Sequence, residues 1–269
     1  MKVHLIKYKK VYLFFAISYL ISWSSLFIFG NVDGTIPSYI AKFGFSLSAI
    51  ILLLFYRDKE KTAEIIEYAK TPVRWTYLLL ALSPILAYFA SILIAVPFAE
   101  LSIVKGESFL QWAYVILIAP TSGILFYSLL RGGLGEEIGL RAYVLPLIAS
   151  KQSLLRTALI IGIVWALWHY PVWINNGIVS LVAGTLATIA WSLIFTLVFV
   201  KTKSLWIVIL LHATGNAADD IFEFIFPNIV NYDWEIFYIL LVVVFGVVAL
   251  VILRKTPNSF NKFQIEGEK

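Results

Sequence analysis

Eight long apolar runs constrain the fold of this chain more than any other feature of its sequence. At about 20 residues per membrane-spanning helix, they amount to eight passes through a bilayer. The runs are Val11–Phe29, Pro37–Tyr56, Trp75–Val96, Gln111–Ala149, Leu154–Trp173, Ile178–Val200, Ser204–Ala218 and Ile236–Leu253. We therefore predict an all-α, polytopic membrane protein with about eight transmembrane helices.

Composition and charge agree with a membrane protein and exclude several other classes. The 269 residues are 61% hydrophobic and 14% charged, whereas soluble domains have about 45–50% apolar and about 25% charged residues. The net charge of +5 is spread between the apolar runs, and no nucleic-acid-binding module is visible, so we expect no nucleic acid partner. Because the chain has no cysteine, disulfides, thiolate chemistry and cysteine zinc sites are excluded.

The positive charges also predict an orientation in the membrane. Lysines and arginines concentrate in the N-terminal tail, in the second, fourth and sixth connections, and in the C-terminal tail. The odd-numbered connections hold almost none, with Lys105 as the exception. Since positive charge marks cytoplasmic loops, both termini are predicted to be cytoplasmic. The first run is long and lacks an Ala-x-Ala cleavage pattern, so we expect an uncleaved span rather than a signal peptide.

We expect one integral-membrane domain over residues 1–269. Residues 1–110 would supply packing and substrate access, residues 111–225 a catalytic core, and residues 226–269 a last helix and a cytoplasmic tail. The run from 111 to 149 would be about 58 Å long as one helix, against a hydrocarbon core of about 30 Å. Pro120 and the poor helix formers Gly132, Gly133 and Gly135 predict a kink or a break just before residue 136.

Five polar residues of the second half are predicted to meet inside the membrane. Glu136 and Glu137 are adjacent in the fourth run, His169 lies in the fifth, and His212 and Asn216 lie in the seventh. Counted from the cytoplasmic helix ends at 1.5 Å per residue, the glutamates and histidines reach the same middle layer. Carboxylates in hydrocarbon cost roughly 2.5–3.5 kcal/mol each. A chain that keeps two of them beside two histidines has the components of a hydrolytic site.

Helical spacing predicts two local pairs. Glu137 and Arg141 are four residues apart, in the favourable order for an ion pair, and a buried arginine needs such a partner. We predict that this pair holds the helix and leaves Glu136 as the freer carboxylate. His212 and Asn216 are also four residues apart, so they share a helix face and can address one ligand.

Other interpretations of these polar residues remain open at this point. Each histidine, taken alone, is compatible with packing between helices. A non-enzymatic immunity or scaffold protein that binds a peptide is the second hypothesis. An ion or proton transporter is the third, because membrane-embedded glutamates and histidines also form proton relays. Transporters commonly carry an inverted repeat, and the site motifs do not recur in the first hundred residues.

Together, the three motifs resemble those of the CPBP intramembrane proteases, also called the Abi family or type II CAAX prenyl endopeptidases. The motifs are Glu136-Glu137-x-x-x-Arg141, Trp165-x-x-x-His169 and His212-x-x-x-Asn216. They occur in the order of the family, roughly between residues 111 and 223. One departure is Trp165, where the family often has phenylalanine. The resemblance implies an integral protein of a prokaryotic cell membrane.

The resemblance also implies a reaction and a role for each site residue. Glu136, assisted by His169, would activate water for attack on a peptide carbonyl, and His212 with Asn216 would bind the oxyanion. In the alternative described for the family, Glu136, His169 and His212 would bind Zn²⁺ as ligands. The chain has no His-Glu-x-x-His motif, and we favour the metal-free mechanism. The expected partner besides lipid is a membrane-embedded or lipidated peptide, and the sequence does not select a prenyl group.

Overall fold

The computed structural model describes residues 2–30, 35–84, 124–174 and 177–225, together with residues 243, 246–248 and 251. Within this part of the chain every regular element is a helix and no strand occurs. The helices before residue 85 are α1 (Lys2–Phe29), α2 (Ile36–Lys42), α3 (Gly44–Tyr56), α4 (Lys59–Lys70) and α5 (75–84).

The second half of the described chain is built from four helical units. A central helix covers residues 124–149 and consists of five successive segments: Ile124–Ser128, Leu129–Gly133, Leu134–Glu137, Ile138–Val144 and Leu145–Ala149. The units that follow it are α6 (Leu154–Trp168) with the short α7 (Tyr170–Trp173), then α8 (Gly177–Thr202) and α9 (Leu205–Ile225). The candidate site residues all lie on these units.

Several of the helices are apolar enough to cross a bilayer. Tyr8–Phe29 of α1 and all of α8 are long enough to do so alone, and α2 with α3 forms a third span if the bent pair is counted as one. The prediction of an all-α membrane protein is confirmed. The predicted number of eight spans is not: the described residues supply two or three, and much of the third, fourth and eighth runs lies outside them.

The second predicted span, Pro37–Tyr56, is not one straight helix. Its two halves, α2 and α3, meet at an angle of 70° on either side of Phe43. The bend packs closely against α1, because the Ser22 hydroxyl donates to the Ala41 carbonyl at 2.7 Å. A Cβ added to Gly44 would lie 2.9 Å from the Ser18 carbonyl oxygen. Such close helix contact through small residues is typical of membrane interiors.

Of the predicted kink or break before the glutamates, the break is wrong, since the backbone stays helical from 124 to 149. Leu129–Gly133 and Ile138–Val144 are wide π-helical turns, in which Leu134 N–H donates to the Leu129 carbonyl and Leu145 N–H to that of Leu140. Each turn therefore takes one extra residue without interrupting the chain of hydrogen bonds, and π turns are common at functional sites. Tertiary packing here overrides the low helix propensity of glycine.

Glycines let the central helix approach its neighbours at backbone distance. A Cβ on Gly135 would lie 2.5 Å from the Lys42 carbonyl oxygen, and one on Gly139 would lie 2.4 Å from that of Phe45. The Ser46 hydroxyl adds a hydrogen bond of 2.7 Å to the Leu134 carbonyl. Helices α2 and α3 thereby fix the position of the segment that carries the two glutamates.

The opposite wall of the site is held by α1. Tyr19 donates to the Val164 carbonyl at 2.5 Å, and the Trp23 indole donates to the Trp168 carbonyl at 3.1 Å. The Trp168 carbonyl is one of the last four of α6, which have no partner within the helix. Helix α6 in turn packs along α8, where the Ser192 hydroxyl donates to the Ala158 carbonyl. The end of α6, just before His169, is therefore anchored by α1, and its first half by α8.

Candidate active site

The central helix directs a buried group of three charged side chains toward α9. Glu136 is 4% exposed, and Glu137 and Arg141 are fully buried. The predicted ion pair between Glu137 and Arg141 is present, with 3.3 Å between Oε2 and Nε. Neither of these two atoms has a hydrogen-bond partner among the described residues, so the contact between them is an ion pair without a hydrogen bond. Because residues 138–144 form a wide turn, the pair spans a π-helical rather than an α-helical step.

His212 of α9 lies between the two carboxylates. Its Nδ1 is 2.7 Å from Oε1 of Glu137, and its Nε2 is 4.0 Å from Oε1 of Glu136. The bond to Glu137 places a proton on Nδ1, because a carboxylate accepts and does not donate. The other ring nitrogen, Nε2, is then left to face Glu136. A carboxylate on one nitrogen commonly fixes the tautomer and orientation of a functional histidine in this way.

Asn216 shares the face of α9 that presents His212, as the four-residue spacing predicts. Both side chains point at Gly132 of the central helix: a Cβ added there would lie 2.3 Å from Asn216 Nδ2 and 2.7 Å from His212 Nε2. Any larger residue at this position would displace the two polar groups. Gly132 therefore leaves the space that the His212 imidazole and the Asn216 amide occupy.

Arg141 is enclosed by aromatic rings as well as by its acidic partner. Its guanidinium carbon lies 5.2 Å from the ring centre of Trp165 and 5.3 Å from that of Phe195. Both terminal nitrogens are buried and have no hydrogen-bond partner among the described residues. Cation–π contact compensates part of the desolvation of such a cation, by about 2 kcal/mol or more in dry surroundings. The charge of Glu137 supplies the rest of the compensation.

His169 joins the site from the end of α6, through Trp165. The backbone N–H of His169 bonds to the carbonyls of Ala166 and Leu167, so α6 ends in a tight turn and the Trp165 carbonyl loses its usual partner. The His169 ring replaces that partner, with Nδ1 3.0 Å from the carbonyl oxygen. Since a carbonyl only accepts, Nδ1 carries the proton and Nε2 is free to accept one. The His169 ring also stacks on the Trp173 ring, with 4.7 Å between the ring centres.

The structure brings together most of the residues predicted from sequence. Glu136, Glu137, Arg141 and His212 form one contact group, and Asn216 adjoins it beside Gly132. His169 is not in direct hydrogen-bond contact with Glu136 in any described interaction and reaches the group only through Trp165.

The three residues predicted as alternative zinc ligands, Glu136, His169 and His212, do not form a metal-binding group. Within the described part of the chain, no three histidine or acidic side chains are arranged to hold a metal ion. The atoms left free for a metal are Oε1 of Glu136 and Nε2 of each histidine, because Oε2 accepts from the Trp165 indole and each Nδ1 is already bonded. As arranged here these three side chains do not converge on one metal position, and zinc dependence stays a prediction.

The sequence reasoning missed two contributors, Trp165 and Gly132. Trp165 was singled out only as a departure from the family pattern, whereas its indole N–H donates to Oε2 of Glu136. A buried tryptophan usually finds a partner for its N–H, and that rule was the available signal. Gly132 was predicted only as a helix breaker, whereas its missing side chain makes room for His212 and Asn216. No local pattern distinguishes these two uses of a glycine.

Comparison with known proteins finds a family match over the range that contains the site. Residues 105–218 match the family described as type II CAAX prenyl endopeptidase Rce1-like, and this range contains all six predicted site residues. A curated relative, CAAX prenyl protease 2 from Methanococcus maripaludis, is 33% identical over 87 residues, which are 32% of this chain. The alignment spans about a third of that relative, 30% of its length. Residues 105–218 are therefore similar to the CAAX prenyl endopeptidase family that the three motifs resemble.

Proposed function

We propose that the protein is an intramembrane endopeptidase in which Glu136 activates a water molecule against a peptide bond. The observation that supports this most strongly is the 4.0 Å separation between Glu136 Oε1 and His212 Nε2. One oxygen atom can lie at about 2.8 Å from both atoms, which is a normal hydrogen-bond distance. The pair is buried between helices, where fixed polar groups act most strongly on a developing charge.

The reaction proposed at this position is a direct hydrolysis. Oε1 of Glu136 takes a proton from the water as its oxygen attacks the carbonyl carbon of the peptide. The carbonyl oxygen becomes an oxyanion, which His212 and Asn216 stabilise by donating hydrogen bonds. When the C–N bond breaks, the proton held by Glu136 moves to the leaving amine. A general base typically raises the rate of such a reaction by about 10²–10⁴-fold. One oxyanion donor typically raises it by about 10²–10³-fold.

Glu137 gives His212 the charge state that this role needs. An imidazole with a proton on Nδ1 can donate from Nε2 only when both nitrogens are protonated. Two carboxylates, one bonded at 2.7 Å and one at 4.0 Å, stabilise that positively charged ring by Coulomb attraction. His169 is proposed to assist as a proton acceptor, because its Nε2 is left free by the bond between Nδ1 and the Trp165 carbonyl.

The substrate class is proposed from the family. A CAAX prenyl endopeptidase cuts after a lipidated cysteine near a C-terminus, and the relative from Methanococcus maripaludis carries a name of that kind. We propose that this protein cleaves a membrane-associated peptide and that a prenyl group anchors it. The apolar helices around the site are compatible with a substrate that arrives through the lipid.

The test is cleavage of a farnesylated peptide ending in a Cys-aliphatic-aliphatic-X sequence, added to the purified protein in detergent. We expect the wild type to release the last three residues as one product, identified by mass spectrometry. Glu136→Gln should lose activity by about 10²–10⁴-fold while remaining folded, because an amide oxygen can still accept from Trp165. The surface variant Glu67→Gln is the matched control and should cleave normally, since Glu67 is exposed.

Two results would contradict the proposal. The first is an intact peptide after incubation with folded wild-type protein, for prenylated and unprenylated versions alike. The second is equal cleavage by the wild type and Glu136→Gln. A scaffold or immunity protein would give the first result and would keep its protective phenotype when Glu136 or His169 is replaced.

A further inference from the structure

Trp165 contacts Glu136, Arg141, His169 and His212, which are all residues of the candidate site. Its indole N–H donates to Oε2 of Glu136, and its carbonyl accepts from His169. One face of the ring lies 5.2 Å from the guanidinium carbon of Arg141, and the ring centre is 5.5 Å from that of His212. The residue itself is 4% exposed. It therefore links the helix that carries His169 to the carboxylate that is proposed to act as the base.

The indole fixes which oxygen of Glu136 reacts. An indole N–H can only donate, so the oxygen that it contacts, Oε2, stays a hydrogen-bond acceptor throughout the reaction. The proton removed from water must then arrive on Oε1, the oxygen that lies 4.0 Å from His212 Nε2. The proton acceptor is thus the same oxygen, Oε1, that faces the proposed water position and the His212 imidazole. Without the indole, rotation about the last side-chain bond of Glu136 would exchange the two oxygens.

The indole also favours the charged form of the carboxylate. Hydrogen bonds to an ionised acceptor are shorter and stronger than those to a neutral one. A base must be ionised before it accepts a proton, and Glu136 lies beside a second carboxylate in a buried place. A phenylalanine at this position, which the family often has, would fill the same space and supply neither the donor nor this selection between oxygens.

We propose that Trp165 is a positioning residue for Glu136: its indole N–H holds Oε2 and thereby makes Oε1 the proton acceptor. This inference rests on the proposed hydrolysis and goes beyond it, because Glu136 could act as a base without such a bond. It assigns to this chain a hydrogen bond that a phenylalanine-bearing relative cannot make. The group that contributes is the N–H alone, and the ring provides packing.

The test separates the N–H from the ring. Trp165→Phe keeps an aromatic ring and removes the donor, and should lower kcat by about 10- to 100-fold, the usual range for a hydrogen bond to a charged group. KM should change by less than about threefold, because the contact is made to the enzyme and not to the substrate. The acid limb of the pH–rate profile should move to higher pH, because a carboxylate without its donor keeps its proton more strongly.

The matched control is Trp168→Phe. Trp168 is another buried tryptophan of the same helix turn, but its indole nitrogen has no hydrogen-bond partner among the described residues. This variant removes an N–H and similar volume without touching Glu136. It should keep the wild-type pH profile and a kcat within about threefold of wild type. A general loosening of the end of α6 would affect both variants alike.

A second substitution protects the test against misfolding. Incorporation of 3-benzothienylalanine at position 165 replaces the N–H by sulfur in a ring of nearly the same shape, and should reproduce the kinetic losses of Trp165→Phe. Unchanged kcat and an unchanged acid limb in either folded variant would overturn the role of Trp165. Absence of cleavage by the wild type would instead contradict the proposed function. Failure of the proposed function and failure of the proposed role of Trp165 are therefore distinguishable.

Discussion

The two halves of the candidate site are built in different ways, and the difference predicts which substitutions damage folding and which damage only the reaction. The ionic half consists of Glu137, Arg141 and His212, which neutralise one another in a buried place. The other half contains His169, which is only partly buried, stacks on Trp173 and bonds to a backbone carbonyl. Removal of one buried charge leaves its partner uncompensated and destabilises the fold. A neutral ring at a helix end can be removed without leaving such a charge behind.

The largest effect is expected for Glu137→Ala, which should reduce both stability and activity. Removal of one partner of a buried ion pair costs about 3–5 kcal/mol, because the other charge is left uncompensated. The Arg141 guanidinium has no hydrogen-bond partner among the described residues, so its ion pair with Glu137 is the contact that balances its charge. Thermal unfolding in detergent should show a clear decrease in Tm and a lower yield, and cleavage should be lost because His212 also loses its partner.

A double variant sharpens this result. Glu137→Leu combined with Arg141→Leu removes both charges, and apolar replacements of a buried pair are often neutral for stability. We expect Tm to recover toward the wild-type value while activity stays absent, because His212 remains unsupported. Recovery of activity together with Tm would show that Glu137 has only a structural role.

His169→Ala should show the opposite balance. The rate of cleavage should decrease by about 10²–10⁴-fold, the range for a group that takes part in proton transfer. Tm should decrease far less than in Glu137→Ala, because His169 leaves no unpaired charge behind. Steady-state cleavage and thermal unfolding, measured on the same preparations, check both parts. Equal losses of Tm in the two variants would remove the distinction between the halves.

Asn216→Ala should lower the rate of cleavage by a smaller factor than His169→Ala. Loss of one oxyanion donor costs about 10²–10³-fold in rate, and the partly buried amide contributes little to the fold. Gly132→Ala tests the same group from the other side, since its methyl would lie 2.3 Å from Asn216 Nδ2. Gly215→Ala is the control, because a Cβ there meets its first neighbour at 3.6 Å. Activity should decrease in Gly132→Ala and persist in Gly215→Ala.

The smallest effect is expected at a partly exposed ion pair away from the site, between Lys10 and Asp58, at 2.6 Å. Burial raises the pKa of the Asp58 carboxyl, but the bonds from Lys10 and from the Lys61 backbone outweigh it and lower that pKa overall. The pair therefore contributes its stability above the unfolded pKa of about 3.9 and loses it as the pH falls through the lower folded pKa. At neutral pH, Asp58→Asn should cost no more than about 1 kcal/mol in unfolding free energy.

The local part of the site could be predicted from sequence, and the long-range part could not. Glu137–Arg141 and His212–Asn216 follow from four-residue spacing on one helix, and the apolar runs predict most helices. The bond between His212 and Glu137 joins residues 75 positions apart, and no local rule selects which carboxylate takes the imidazole. The continuous helix through Gly135 and Gly139 depends on close contacts with Lys42 and Phe45, which helix propensity does not include. The cytoplasmic position of both termini stays a prediction.

The most direct test of the central claim is a single-turnover cleavage in ¹⁸O-labelled water, with protein shown to be free of zinc by elemental analysis. If Glu136 activates water directly, the newly formed carboxyl group should contain one ¹⁸O atom in the first turnover, without added metal. An unlabelled carboxyl group in that turnover would indicate that an oxygen of Glu136 attacks the peptide carbon and expels the amine, and that water then opens the resulting anhydride at the glutamate carbon. Cleavage that appears only after zinc is added would equally contradict the account.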